Sequence, residues 1–309
     1  MDRPYADAVR NRVLSALANN RVPGFSFLGH FLQLDWPTIG ADSIVQTMAA
    51  EPHCRDGEGR INIGALCGML DIGLASAPRL KIGPSARQAT VQLHLQFTGY
   101  PANGPLAMEA VFEGFSAGNA LRQTFSRGVV RSDGVPVCHA RGAFVALPPP
   151  RGIDLGPLPW ERERSGARPP LKPGDLDPRE QAVFETCNRA LASCDENHAF
   201  IERFWGMMPE PTKDGACCEV AIGPVLSNRV GDVQGGLLLG LAAATAKVAA
   251  PGHPMLSTIS AWFISPGRGD SLSTHSEVLH TGRSLAVVRT QVRSAKDLLV
   301  LEAVSNHAA

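Results

Sequence analysis

Two stretches of the chain could assemble a site for acyl chemistry. Asn62-Ile-Gly-Ala-Leu-Cys-Gly-Met-Leu-Asp71 places an acid in an otherwise apolar run, and Gln234-Gly-Gly-Leu-Leu-Leu-Gly-Leu-Ala-Ala243 opens on a pair of glycines. A carboxylate amid Met69, Leu70, Ile72 and Leu74 is an unusual occupant of an apolar helix, and burial would make it a general base or a nucleophile. The first N–H groups of a helix have no partner inside it, and they sit at the positive end of the helix dipole. Such a start can hold the oxyanion that develops when a carbonyl is attacked, and Gly235, lacking a Cβ, allows the close approach this needs.

The two stretches are copies of one pattern. Seven residues after Gly64 stands Asp71, whereas seven after Gly236 stands Ala243. The likeness continues downstream: Thr90 to Phe97 and then Pro101-Ala-Asn-Gly104 in the first copy, Ser257 to Phe263 and then Pro266-Gly-Arg-Gly269 in the second. Each copy goes on to a glycine-centred turn, Ser116-Ala-Gly-Asn119 or Thr281-Gly-Arg-Ser284, and closes with a strand, Val135 to Leu147 or Leu298 to Val304. Helical spacing over Pro4 to Asn20 and over Pro178 to Trp205 adds one helix before each copy. The predicted unit is therefore helix, strand, glycine-opened helix and a run of antiparallel strands, used twice.

Composition narrows the class. Lys plus Arg and Asp plus Glu each total 29 of 309 residues, so no overall field draws the chain to nucleic acid or an anionic membrane. No apolar run reaches the length of a membrane span, the longest, Leu237 to Ala246, being broken by Gly240. Seven cysteines without a Cys-x-x-Cys pair point to a reducing compartment, and a cytoplasmic location is the expectation. Histidines without ligand spacing and the isolated Cys217-Cys218 pair give no metal site, and no cofactor is implied. His53, His94 and His139 read as structural or surface residues. Gly114-Phe-Ser-Ala-Gly118 matches the nucleophile elbow of serine hydrolases, but the residues after it read as a strand, and the second copy has His280 in place of the serine. Ser116 is therefore expected at a hairpin turn.

A glycine-opened apolar helix followed by long strands resembles the hotdog fold, and in particular the phenylacetate-pathway (PaaI-like) acyl-CoA thioesterases. The residues that carry the likeness are Asn228, Gln234, Gly235 and Gly236 in the second copy and Asp71 in the first. The resemblance implies an α+β protein, a double hotdog with two copies of an antiparallel sheet wrapped around a central helix. Its repeats would span 1–147 and 178–309, joined by a proline-rich surface linker over 148–177. It implies hydrolysis of an acyl thioester, of CoA or of an acyl carrier protein, by a chain able to pair into a homodimer of double hotdogs. A non-catalytic acyl-binding hotdog protein and an enoyl-CoA hydratase or dehydratase are the alternatives.

Gly64 and Asp71 are about 10 Å apart along one helix, too far for one carbonyl to touch both. Antiparallel packing of the two central helices, by analogy with the family's dimers, would instead pair Asp71 with Asn228, Gln234, Gly235 and Gly236. The other composite, Asn62, Ile63 and Gly64 with Ala243, lacks an ionisable group. Gln234 stands where the family has histidine, leaving a donor without a titratable group. Thr90 falls near the family's hydroxyl residue and would orient Asp71 or water.

Overall fold

The computed structural model describes residues 3–22, 26–117, 123–149, 151–152, 155–161, 168–195 and 198–309. Among the described residues, six α-helices flank or fill one twelve-stranded antiparallel sheet. The first half runs α1 (Arg3–Asn20), α2 (Phe27–Phe31), β1 (Asp35–Ile39), β2 (Ser43–Met48), α3 (Ile63–Ile82), β3 (Arg87–Phe97), β4 (Leu106–Phe115), β5 (Gln123–Ser132) and β6 (Val135–Leu147). The second half repeats that order as α4 (Pro178–Ser193), α5 (Phe200–Trp205), β7 (Glu210–Thr212), β8 (Gly215–Ala221), α6 (Gly235–Ala249), β9 (Met255–Phe263), β10 (Ser271–Thr281), β11 (Leu285–Ser294) and β12 (Leu299–Ala308).

Across the sheet the strands lie in the order β1-β2-β4-β5-β6-β3-β9-β12-β11-β10-β8-β7, a palindrome about the β3–β9 pair. At that seam Leu93 faces Ala261, His94 faces Ser260 and Leu95 faces Ile259. The central helices pack against the sheet and against each other. Glycine sets their separation: a Cβ on Gly240 would lie 2.6 Å from Gly64 Cα, and one on Gly236 would lie 2.5 Å from the Cys67 carbonyl oxygen. The chain positions in contact run in opposite senses, so α3 and α6 are antiparallel. Leu66, Met69, Leu70 and Leu74 of α3 and Leu237, Leu239 and Leu241 of α6 are buried in the one core this creates.

Several sequence expectations differ from what is observed. Two strands, not one, precede each glycine-opened helix; β1 is an edge strand containing Pro37, and β7 has only three residues, so neither carries an alternating signal. The helical pattern over Pro178 to Trp205 is split into α4 and α5. Asp177 caps α4, its Oδ1 accepting from the Arg179 and Glu180 N–H groups at 2.8 Å each, and a fresh start at Ala199 opens α5. The last strand reaches Ala308 rather than Val304. Helix α3 is long and apolar enough to cross a membrane by length and hydropathy, contrary to the reading of the apolar runs, yet 72% of it is buried inside the protein. The proline-rich segment also departs from a plain surface crossing, because Leu155 and Leu158 are buried in it. Of the first predicted turn, Gly118 and Asn119 lie outside the described residues. Ser116 donates its N–H to the Gln123 carbonyl at 2.8 Å, at the hairpin joining β4 and β5.

Candidate active site

The start of α6 is held by the loop that delivers it. Asn228 Oδ1 accepts from the Val230 and Asp232 N–H groups at 2.9 and 3.1 Å, which folds the loop on itself, with Gly231 at φ 84°. Val233 donates to the Gly267 carbonyl at 3.0 Å and Gln234 to the Leu226 carbonyl at 2.9 Å, fixing the approach to the helix. Asp232, buried, takes a 2.9 Å hydrogen bond from Arg87 Nη2 and another from Arg268 Nε. Gln234 occupies the N-cap position, but its side chain makes no capping hydrogen bond. The first N–H groups of α6 therefore have to find partners elsewhere.

One of them finds Asp71. The Gly236 N–H donates to Asp71 Oδ2 at 2.9 Å, linking the second residue of α6 to the middle of α3. The Thr90 hydroxyl donates to Asp71 Oδ1 at 2.8 Å from β3, where a β-bulge between Thr90 and Gln92 interrupts the pairing with β6. Asp71 is only 4% exposed. Burial pushes its carboxyl up from the ordinary 3.8 to about 6, while the hydrogen bonds from Thr90, Gly236 and the Gln234 side chain favour the charged form and oppose that rise. The Gly235 N–H has no hydrogen-bond partner among the described residues. A Cβ on Gly235 would sit 2.9 Å from Asp71 Oδ2 and 3.3 Å from the Thr90 hydroxyl, so only glycine leaves the carboxylate approachable there.

Asp71, Thr90, Gln234, Gly235 and Asn228 all line one cavity of about 420 Å³. Ile72, Ala75, Ser76 and Arg79 of α3 line it, as does Phe144, and Phe263 lines it beside Gly235, its ring 3.4 Å from where a Cβ on that glycine would lie. Leu155, Leu158, Pro159 and Trp160, in the segment between the two halves, cover it. Trp160 lies against Trp36 with ring centroids 6.0 Å apart, and Trp36 donates to Ser76 Oγ at 3.3 Å. Arg79 makes no ion pair with Asp71, although both line this space.

All six residues singled out in the sequence thus come together at one place, with Gly236 facing α3 rather than the cavity. Two are engaged otherwise than expected. Asn228 Oδ1 is committed to its own loop, so the side chain acts as a turn residue, and the Gly236 N–H is already taken by the acid. Missing from the sequence reading are Trp36, Arg79, Leu155, Leu158 and Trp160. No local pattern marks them, because a proline-rich segment and an edge strand meet the cavity only through tertiary packing.

The start of α3 is built differently. Asn62 caps it, its Oδ1 accepting from the Gly64 N–H at 2.8 Å, and its Nδ2 donates to Glu202 Oε1 at 3.4 Å. Trp205, buried, closes over it: a Cβ on Gly64 would meet the indole ring at 2.9 Å. Ala243, buried, offers no ionisable group.

Residues 227–307 match the family model described as the acyl-CoA thioesterase N-terminal domain. No curated protein matches the chain in sequence. Among solved structures, a provisionally named oleoyl thioesterase of Lactobacillus plantarum superposes with a TM-score of 0.55 at 10% identity, over 87% of this chain and 97% of that one. A tesB protein of Mycobacterium avium subs paratuberculosis gives 0.52 at 15% identity, over 90% and 96%. A provisionally named thioesterase II of Thermobifida fusca YX gives 0.53 at 14%, over 93% and 99%. At these identities the likeness is one of fold, and the fold is the thioesterase hotdog type, an α+β architecture with one large antiparallel sheet.

Proposed function

We propose that the chain is a tandem hotdog protein, with repeats over 1–147 and 178–309 joined by 148–177, that hydrolyses acyl thioesters at a single composite site. The palindromic sheet order and the full-length overlap with two-hotdog-sized structures support the tandem reading. The observation that carries the hydrolase reading is the bond from the Gly236 N–H to Asp71, which brings a buried acid of one half against the helix start of the other. Acyl-CoA is the favoured substrate, from the description of the family matched by residues 227–307.

In this reading a thioester carbonyl lies with its oxygen toward the Gly235 N–H, the one donor at the start of α6 without a partner among the described residues. Asp71 takes a proton from a water in the cavity, and the resulting hydroxide adds to the carbonyl carbon. Gly235 and the α6 dipole stabilise the oxyanion. The tetrahedral intermediate then expels the thiolate, which recovers a proton from the Asp71 carboxyl to leave as free thiol. The Thr90 hydroxyl, the Gly236 N–H and the Gln234 side chain take three of the carboxylate's acceptor sites and leave one for water, which favours base catalysis over direct attack by a carboxylate held from several sides. Thr90 and the Gln234 side chain both donate to the carboxylate and fix it beside the cavity. A base with a pKa of about 6 is mostly ionised at neutral pH and still strong enough to accept a proton.

The test is a panel of acyl-CoAs with a colorimetric thiol reagent. Release of free CoA by the native protein, rising with pH through about 6 and abolished in Asp71→Asn, is the expected outcome. Acyl-CoA binding without thiol release would leave an acyl-binding protein instead. Single turnover in ¹⁸O-labelled water sharpens the mechanism: label in the released acid and none in Asp71 is expected, whereas label in Asp71 would mean that the carboxylate itself attacks.

A further inference from the structure

The far end of the cavity carries a feature the hydrolytic chemistry does not use. Arg79 lies eight residues beyond Asp71 on α3, and at ~1.5 Å rise per residue the two are about 12 Å apart along the axis. Arg79 lines the cavity, and its Nη1 is shielded from solvent with no hydrogen-bond acceptor among the described residues. A buried donor left unmet is costly, and a guanidinium is matched best by a planar anion that accepts two hydrogen bonds. Nothing among the described residues provides one: Arg79 makes no ion pair there, while the nearby Asp232 is held by Arg87 and Arg268. Arg229, which donates to the Leu155 carbonyl, adds a second positive charge, and with burial it pulls the Arg79 guanidinium down to about 10. The cavity is lined also by Trp36, which donates to Ser76 three residues before Arg79, by Trp160 against Trp36, and by Leu155, whose carbonyl Arg229 holds; their apolar faces suit a hydrocarbon chain.

We propose that Arg79, beside Arg229, is a specificity-determining subsite for a carboxylate at the far end of the acyl group, so that ω-carboxyacyl thioesters are preferred over methyl-ended ones. The proposal rests on the hydrolase reading for the position of the thioester at Asp71. A phosphate of the thiol carrier is the other anion that could reach an arginine. A guanidinium whose Nη1 is shielded from solvent, in a cavity lined also by tryptophan and leucine side chains, suits one compact carboxylate better than a hydrated phosphate.

The experiment compares native protein, Arg79→Met and Arg79→Lys on matched ω-carboxyacyl and methyl-ended thioesters, each as CoA and as pantetheine derivatives. Arg79→Met is expected to lower kcat/KM for the carboxyl-ended substrates about 10- to 100-fold, mainly through KM and with either carrier. Its activity on methyl-ended substrates is expected to persist, which also shows that the variant folds, and Arg79→Lys is expected to recover part of the loss. Equal loss for both acyl ends, loss with CoA but not pantetheine derivatives, or no loss would each overturn the proposal. Binding separates this failure from failure of the hydrolase reading. In the Asp71→Asn background, tryptophan fluorescence is expected to respond to suberate far more than to octanoate, and that difference is expected to vanish on adding Arg79→Met. A response to suberate that is independent of Arg79 would sink the subsite even if thioesters are hydrolysed. An Arg79-dependent response would uphold carboxylate recognition by Arg79 even if no thioester is hydrolysed, and the hydrolase reading alone would then have failed.

Discussion

The molecule contains two glycine-opened helix starts related by the pseudo-symmetry of its sheet, and they have been put to opposite uses. At α6 the N-cap side chain makes no capping bond, the Gly235 N–H has no partner among the described residues, and an acid from the other helix stands opposite beside a cavity of about 420 Å³. At α3, Asn62 caps the Gly64 N–H, Glu202 holds Asn62, and Trp205 occupies the space a substrate would need. A helix dipole and a glycine are common to both. What separates them is whether the first donors are left uncapped, whether an ionisable group faces them, and whether room remains for a ligand.

The largest expected effect removes the acid that distinguishes the two starts. Asp71→Asn should cut thioester hydrolysis by about 10²–10⁴-fold, the usual contribution of a positioned general base. The same change should raise stability at neutral pH. Because folding lifts the Asp71 pKa from 3.8 to about 6, the native protein's folded state is favoured while the group is protonated in both states. That advantage is lost as pH rises from about 4 through 6, amounting to about 3 kcal/mol above pH 6. Denaturant melts of the native and Asp71→Asn proteins at pH 4 and pH 8 check this. A stability gap that does not widen with pH would mean that Asp71 is ionised at no cost in the fold, contrary to its burial.

Next in size is Gly235→Ala, which would crowd the carboxylate from 2.9 Å and the Thr90 hydroxyl from 3.3 Å. Hydrolysis should fall about 100-fold through obstruction of the oxyanion site, with melting little changed because those neighbours are the ends of side chains. Gly236→Ala makes a useful contrast. Its Cβ would meet backbone of α3 at 2.5 and 2.6 Å, so the helices must part, and a stability loss of about 1–3 kcal/mol should accompany the loss of activity. If both alanines destabilise alike, Gly235 serves packing rather than approach.

These glycines show what could be read from the chain alone and what could not. The pairing of Gly235-Gly236 with a lone acid on a second, similar helix was legible because it depends on local spacing and on the oddity of Asp71 in an apolar run. The strand alternation after each helix was legible for the same reason. Arg79 was visible as a residue but not as a cavity wall, since eight positions along α3 say nothing about what stands opposite. Trp36 and Trp160 lie in an edge strand and a proline-rich segment, and only tertiary packing brings their rings to 6.0 Å. Asn228 is a different case: the resemblance placed it in the composite with Asp71, and its Oδ1 closes the loop that aims α6, a role its local spacing does not distinguish from any other. The asymmetry at position 243 was plain in the sequence, but the plugging of the α3 start by Trp205 was hidden, because helical periodicity joined α5 to α4 and gave no reason for a separate turn of helix there.

A smaller effect is expected from Thr90→Val, which keeps the shape and deletes the donor to Asp71 Oδ1. Because that hydrogen bond favours the charged carboxylate, its loss should move the rising limb of the pH–rate profile upward from about 6 and lower the rate about tenfold at neutral pH. A reduced rate with an unmoved midpoint would assign Thr90 to water or substrate rather than to the acid.

The smallest effect on hydrolysis is expected at the other helix start, where it is the most telling. Trp205→Ala should cost about 3–5 kcal/mol of stability, as truncation of a large buried ring does, and leave hydrolysis unchanged. Adding Ala243→Asp supplies the missing acid, and making both changes in the Asp71→Asn background removes the native site from the measurement. This triple variant should still release no thiol, because Asn62 continues to occupy the Gly64 N–H and no second hydroxyl has been provided for the new carboxylate. Restored thiol release would mean that an acid and a vacant space suffice, and that the capping by Asn62 is incidental to the difference between the two starts. Continued silence, with activity appearing only after Asn62→Gly frees the helix start, would show that the uncapped donor is as necessary as the acid facing it.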